Sequence, residues 1–91
     1  MEKLRRNNNS LWSARRRMGF SQERVARALG LRKTSVVSRY ENGKRYPSLV
    51  NALKLEIVYR MPVAFLFRDL YSDLKNEVRE REEDIGYGEE K

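Results

Sequence analysis

Between Lys33 and Arg45 the chain sets hydroxyls, an amide and cations at close intervals: Lys33, Thr34, Ser35, Ser38, Arg39, Asn42, Lys44 and Arg45. None of these has a histidine or cysteine to work with, because the chain contains neither. Their chemistry is hydrogen bonding and charge. On a helix, Thr34, Ser35, Ser38 and Arg39 fall on one side. Small side chains let such a helix sit deep in a DNA major groove, and an arginine there can hold guanine O6 and N7 through two parallel hydrogen bonds. Arg39 is the candidate base reader, with a phosphate contact or plain surface charge as its alternatives.

The elements that must position these residues follow from caps and periodicity. Ser10 and Gly19 bracket a first helix from Leu11 to Met18, with Leu11, Ala14 and Met18 on its core face. Ser21 caps a second helix, whose first turn carries Glu23, and Val25, Ala26 and Leu29 form its buried stripe. Gly30 stops it in the left-handed conformation that glycine tolerates. A third helix runs from Thr34 to Glu41 and ends at Asn42-Gly43. Ser48 caps a fourth helix to Tyr59, with Leu49, Ala52, Leu53, Leu55 and Ile57 as its apolar residues. Pro62 suits the start of a fifth helix, in which Val63, Phe65, Leu66 and Leu70 complete the core. The second and third helices are each too short to stand alone in water, so both must pack on neighbours.

Beyond Leu70 the chain is mostly charged. Phe67, Tyr71, Leu74, Val78, Arg81 and Ile85 recur at alternating spacings of four and three. They form a seam for a homodimer, with one charged interruption. The rival is that its first residues fold back on the domain and the rest is solvated. Residues 1–9 read as a flexible basic arm, with Arg5 and Arg6 either reaching a minor groove or lying in a disordered tail. The three divisions are therefore an arm at 1–9, a domain at 10–70 and a charged helical extension and frayed tail at 71–91.

Charge narrows the partner. The net charge is +7 over 91 residues. Residues 1–47 carry +10 and residues 48–91 carry −3, which fits a module that docks on polyphosphate and turns its other end away. The longest apolar run, Val63 to Phe67, is far short of the ~20 residues that cross a bilayer, so no membrane partner is expected. Neither is a secretory signal, and a cytoplasmic location is the default reading. Without cysteine or histidine the usual zinc sites are excluded, and no cofactor, metal site, catalytic residue or enzymatic activity is expected. Trp12, Tyr40, Phe65 and Phe67 read as packing residues rather than as a base-stacking platform.

Ser21-Gln22-Glu23 with Ala26 and Leu29-Gly30, then Ser38-Arg39-Tyr40-Glu41-Asn42-Gly43-Lys44 and Pro47-Ser48-Leu49, resemble the Cro/CI-type, or XRE-like, helix-turn-helix family over roughly residues 10–67. The resemblance implies an all-α, five-helix lambda-repressor-like domain, here followed by the charged extension. It implies a transcriptional regulator, most simply a repressor, that binds double-stranded DNA as a dimer. By position, Gln22 corresponds to a phosphate-contacting glutamine, and Thr34, Ser35 and Arg39 to base readers. Asn42, Lys44 and Arg45 correspond to a phosphate-gripping loop, and Arg15 and Glu41 to a structural ion pair. The stretch from Gly30 to Glu41 is one residue longer than the commonest family pattern. Aligning from the Glu-Asn-Gly end buries Val37 and Tyr40, whereas aligning from Gly30 buries Val36 and strands an aromatic ring. The first alignment is adopted on burial. A different reading of the tail, with nine acids and four bases from Asp69 onward, is an antitoxin-like protein whose acidic segment binds a partner protein.

Overall fold

A computed structural model describes residues 8–86, and among these residues the chain forms six helices. They are α1 (Leu11–Met18), α2 (Gln22–Leu29), α3 (Thr34–Glu41), α4 (Leu49–Tyr59), α5 (Val63–Leu66) and α6 (Arg68–Ile85). Among the described residues no strand occurs. The five-helix domain with a helical extension is thus the observed architecture, with the extension helix starting at Arg68. Residues 1–7 of the expected arm lie outside the described residues.

The core gathers one or two faces from every helix of the domain. Leu11, Ala14, Val25, Ala26, Leu29, Val37, Tyr40, Leu55, Tyr59, Leu66 and Phe67 are buried together. Val37 and Tyr40 point inward from α3, as the adopted alignment requires, while Val36 packs at the margin. Phe65 departs from expectation: it is 47% exposed, and Phe67, the first residue assigned to the seam, takes the core position at 5%. The short α5 ends at Phe67, whose backbone kinks there, and the kink turns Phe67 rather than Phe65 inward.

Caps explain the helix limits. Ser21 Oγ accepts from Arg24 N–H, and Ser48 Oγ accepts from Asn51 N–H. Gly19 and Gly30 end α1 and α2 at φ +74 and +79, a conformation strained for any residue with a Cβ. Leu31 N–H then donates back to Ala26 O, closing the second of these ends. Ser10 does not cap α1, contrary to expectation. Asn9 does so instead: its Oδ1 accepts from Leu11 N–H at 3.0 Å and its Nδ2 donates to Tyr40 O at 2.9 Å. Asn9 is therefore part of the domain and not of a free arm. Ser10 Oγ accepts from the Arg68 guanidinium at 2.6 Å, tying the start of α6 to the start of α1.

Side chains also bridge between helices. Lys54 Nζ on α4 donates to Leu29 O at the end of α2, and Glu56 Oε1 accepts from Val63 N–H at the start of α5. Both satisfy backbone groups that a helix terminus otherwise leaves open.

Candidate nucleic-acid interface

The α2–turn–α3 unit is built by glycine. Gly30 in the left-handed region lets the chain leave α2 sharply. Leu31 drops to the core margin, and Arg32 and Lys33 extend over the surface before α3 begins. Lys33 is in extended conformation and supplies no side-chain cap. The longer turn is thus taken up by Leu31–Lys33, and α3 keeps the phase that buries Val37 and Tyr40.

That phase fixes what α3 shows to solvent. Thr34, Ser35 and Arg39 are exposed, and Ser38 lies half-buried among them. Asn42 Nδ2 donates to Ser38 Oγ at 3.3 Å, so these two form one polar unit at the end of the helix. Lys44 and Arg45 are exposed in the following loop. The loop is pinned by Lys44 N–H on Arg39 O at 2.9 Å and by Asn51 Nδ2, which donates to Tyr40 Oη at 3.0 Å. All the expected contact residues except Gln22 therefore lie on the outer face of α3 or at its two ends.

Gln22 is placed differently from a simple surface contact. Its Nε2 donates to Glu41 Oε1 at 3.1 Å. Glu41 is at the same time the partner of Arg15, whose Nε donates to Oε2 at 2.5 Å and Nη2 to Oε1 at 3.2 Å. Arg15 Nη1 donates further to Phe20 O at 3.1 Å. The two side chains are 12% and 4% exposed, so the pair is largely shielded from solvent. The hydrogen bonds that Arg15 donates to Glu41 raise the pKa of its guanidinium above the ordinary value, against the opposing effect of burial. This cluster ties α1 and the start of α2 to the end of α3, and so orients the exposed face.

Two residues join the surface that the sequence reading did not single out. Arg27 and Arg32 line an open depression of about 720 Å³ with Glu23, Lys33, Thr34 and Ser35. Their cations widen the positive rim at the front of α3. The signal was present in the charge of the segment, but only the path of the turn brings α2 and the turn together. Elsewhere, Arg16 stacks on Trp12 and Arg24 on Phe20, at 5.0 and 4.4 Å from the ring centroids.

No group of acidic residues that could hold a metal ion occurs among the described residues. No helix among them is long and apolar enough to cross a membrane.

Two short helices crossed over a glycine turn, with the second offering small polar and basic side chains outward, define a DNA-binding helix-turn-helix module. A family profile described as helix-turn-helix matches residues 13–66. The chain belongs to the Cro/CI-type, XRE-like helix-turn-helix family, whose members are DNA-binding regulators of transcription. Neither the curated proteins nor the solved structures gave a match.

Proposed function

We propose that this protein is a sequence-specific regulator, of bacterial or phage type, that binds a double-stranded DNA operator as a homodimer and represses by occupying it. The observation that carries the reading is the outward face of α3. Thr34, Ser35 and Arg39 are exposed on a helix whose opposite side is locked by Val37 and Tyr40. A rigid helix with short polar side chains at its front and an arginine behind them suits entry into a major groove. Lys33, Asn42, Lys44 and Arg45, with Arg27 and Arg32, would grip phosphates on either side. Gln22 could contribute through the amide proton that Glu41 leaves unused. Residues 10–70 serve as the DNA-binding unit and the remainder as an extension, and the site of action is the cytoplasm.

Selection of bound duplexes from a random pool tests this. The expected result is an enriched inverted repeat with half-sites about one helical turn apart, roughly 10 base pairs. Salt-sensitive binding with no enriched sequence would reject specific readout.

A further inference from the structure

α4 carries apolar residues on two opposite sides, with Asn51, Lys54 and Glu56 between them, yet only one of those sides is covered. Ala52, Leu55 and Tyr59 enter the core. On the opposite side Leu49, Val50, Leu53 and Ile57 are 75%, 60%, 47% and 73% exposed. A surface helix normally confines its apolar residues to the one stripe that faces the core. Single exposed apolar residues need no explanation, but these four on one face of one helix form a contiguous patch. It exposes on the order of 400 Å² of apolar surface, the size at which such patches mark an interaction site.

α6 has the complementary shortage. Leu70 packs at the core margin, but no side chain of α6 is fully buried, and Tyr71, Leu74, Val78 and Ile85 are all exposed. Its first turn is fastened by Arg68 to Ser10, and the rest extends away from the domain. The radius of gyration, 15.9 Å, reflects this; a compact chain of this length would have about 12 Å. Only Phe67 separates α5 from α6, so the helix has no loop with which to fold back over α4 of its own chain.

We infer that the outer face of α4 is the seat for α6 of a second copy, exchanged reciprocally. This deepens the homodimer proposed above and replaces pairing of two α6 helices with each other. Charge decides between the two. α6 carries Asp69, Asp73, Glu77, Glu80, Glu82, Glu83 and Asp84 against four cations. Laid against a second α6, its acidic end would meet another acidic end, or lie over the first turns of the other domain. On α4 it meets the opposite sign. Ile57 leads into a depression lined by Phe20, Ala28 and Val58, with Arg24 and Arg60 among its lining residues. α4 itself contributes a single carboxylate, Glu56, whose Oε1 accepts from Val63 N–H.

Length and area agree. Leu49 to Ile57 spans about 12 Å of helix and Tyr71 to Val78 about 11 Å. Running α6 alongside α4 in the same direction sets Tyr71, Leu74 and Val78 on Leu49, Leu53 and Ile57, and brings Glu80 to Asp84 towards Arg24 and Arg60. Two α4 faces pressed together would bury only about 800 Å² in total, below the range of roughly 1,200–2,000 Å² for specific interfaces. Reciprocal exchange covers both patches of both copies, about 1,600 Å², and closes with two-fold symmetry.

The cysteine-free chain permits a direct test without DNA, so its outcome is independent of whether the protein reads a sequence. Full-length chains carrying Leu53→Cys are mixed with chains carrying Leu74→Cys and treated with a short bis-maleimide. The expected product joins position 53 of one copy to position 74 of the other, several-fold in excess of either like-with-like product. In sedimentation, Ile57→Asp should convert the dimer to a monomer while helix content by circular dichroism stays unchanged. Dominant 74-to-74 coupling would establish paired α6 helices and overturn the inference, and dominant 53-to-53 coupling would overturn it equally. In a chain carrying both Leu53→Cys and Leu74→Cys, coupling only within the single chain would show α6 folded on its own α4 and overturn the inference. A chain that remains monomeric and uncoupled at high micromolar concentration would also refute it.

Discussion

Arg15 and Glu41 stand 26 positions apart in sequence and meet in a two-point ion pair, with guanidinium Nε and Nη2 on the two carboxylate oxygens. The same carboxylate takes the amide of Gln22. One acidic side chain therefore fixes three helices relative to one another, at the end of the helix that would face DNA. Because the pair is shielded, its desolvation cost offsets much of its attraction. Its role is to set an angle.

Removing one member should expose that balance. Arg15→Ala leaves a shielded carboxylate without its cation and should cost about 3 kcal/mol in urea unfolding. The paired change Arg15→Met with Glu41→Leu should cost much less than the two single changes summed. Additive losses in the double-mutant cycle would show that the two residues act separately.

Asn9 should matter more than its neighbour. Asn9→Ala removes a cap on α1 and a bond to the end of α3, and should lower stability by about 1 kcal/mol. Ser10→Ala loses only a more exposed contact to Arg68 and should cost less than half as much. Equal effects in thermal melts would contradict the assignment of Asn9 as the cap.

Contacts at the DNA surface should separate by kind. Arg39→Ala should cost about 1–3 kcal/mol on the preferred duplex and relax preference at one base pair. Lys44→Ala or Arg45→Ala should weaken binding to every duplex and reduce the salt slope by about one each. A salt slope unchanged by the loop substitutions would place these cations away from the backbone.

Tyr59 gives a pH signature. Its buried hydroxyl has no hydrogen-bond partner among the described residues. Burial, with the Glu41 charge adding to it, raises its pKa above the ordinary 10.0. Above pH 10 the unfolded chain releases this proton while the folded chain retains it, so stability must fall as pH rises. Tyr59→Phe should therefore lose less stability than the parent between pH 10 and 12, with a constant difference below pH 9. At neutral pH it should be as stable or up to about 1 kcal/mol more stable, since an unsatisfied buried hydroxyl is removed. Parallel alkaline curves for the two proteins would refute this.

Much of the fold was written in local signals. Ser21, Gly30 and Ser48 mark helix limits because their chemistry acts within four residues, and the structure places those limits where the spacing does. α4 was harder to orient. Leucine, isoleucine and valine occur all round it, so periodicity could not say which side is inner, and only packing selects Ala52, Leu55 and Tyr59. Phe65 and Phe67 sit two residues apart in one apolar run, and the kink at Phe67 decides between them. Neither choice has a local cause.

The candidate site divides in the same way. Residue order is enough to put Thr34, Ser35, Ser38 and Arg39 on one side of α3 and Val37 and Tyr40 on the other, because side-chain direction on a helix follows from position alone. The glycine turn and the positive charge of the first half are legible in the same way. Packing between helices is what turns Gln22 to Glu41, joins the ends of α1 and α3 through Asn9, and gathers Arg27, Arg32 and Lys33 around one depression. Those relationships join residues from different elements, and they exist only once the buried faces of those elements have fixed how the helices cross.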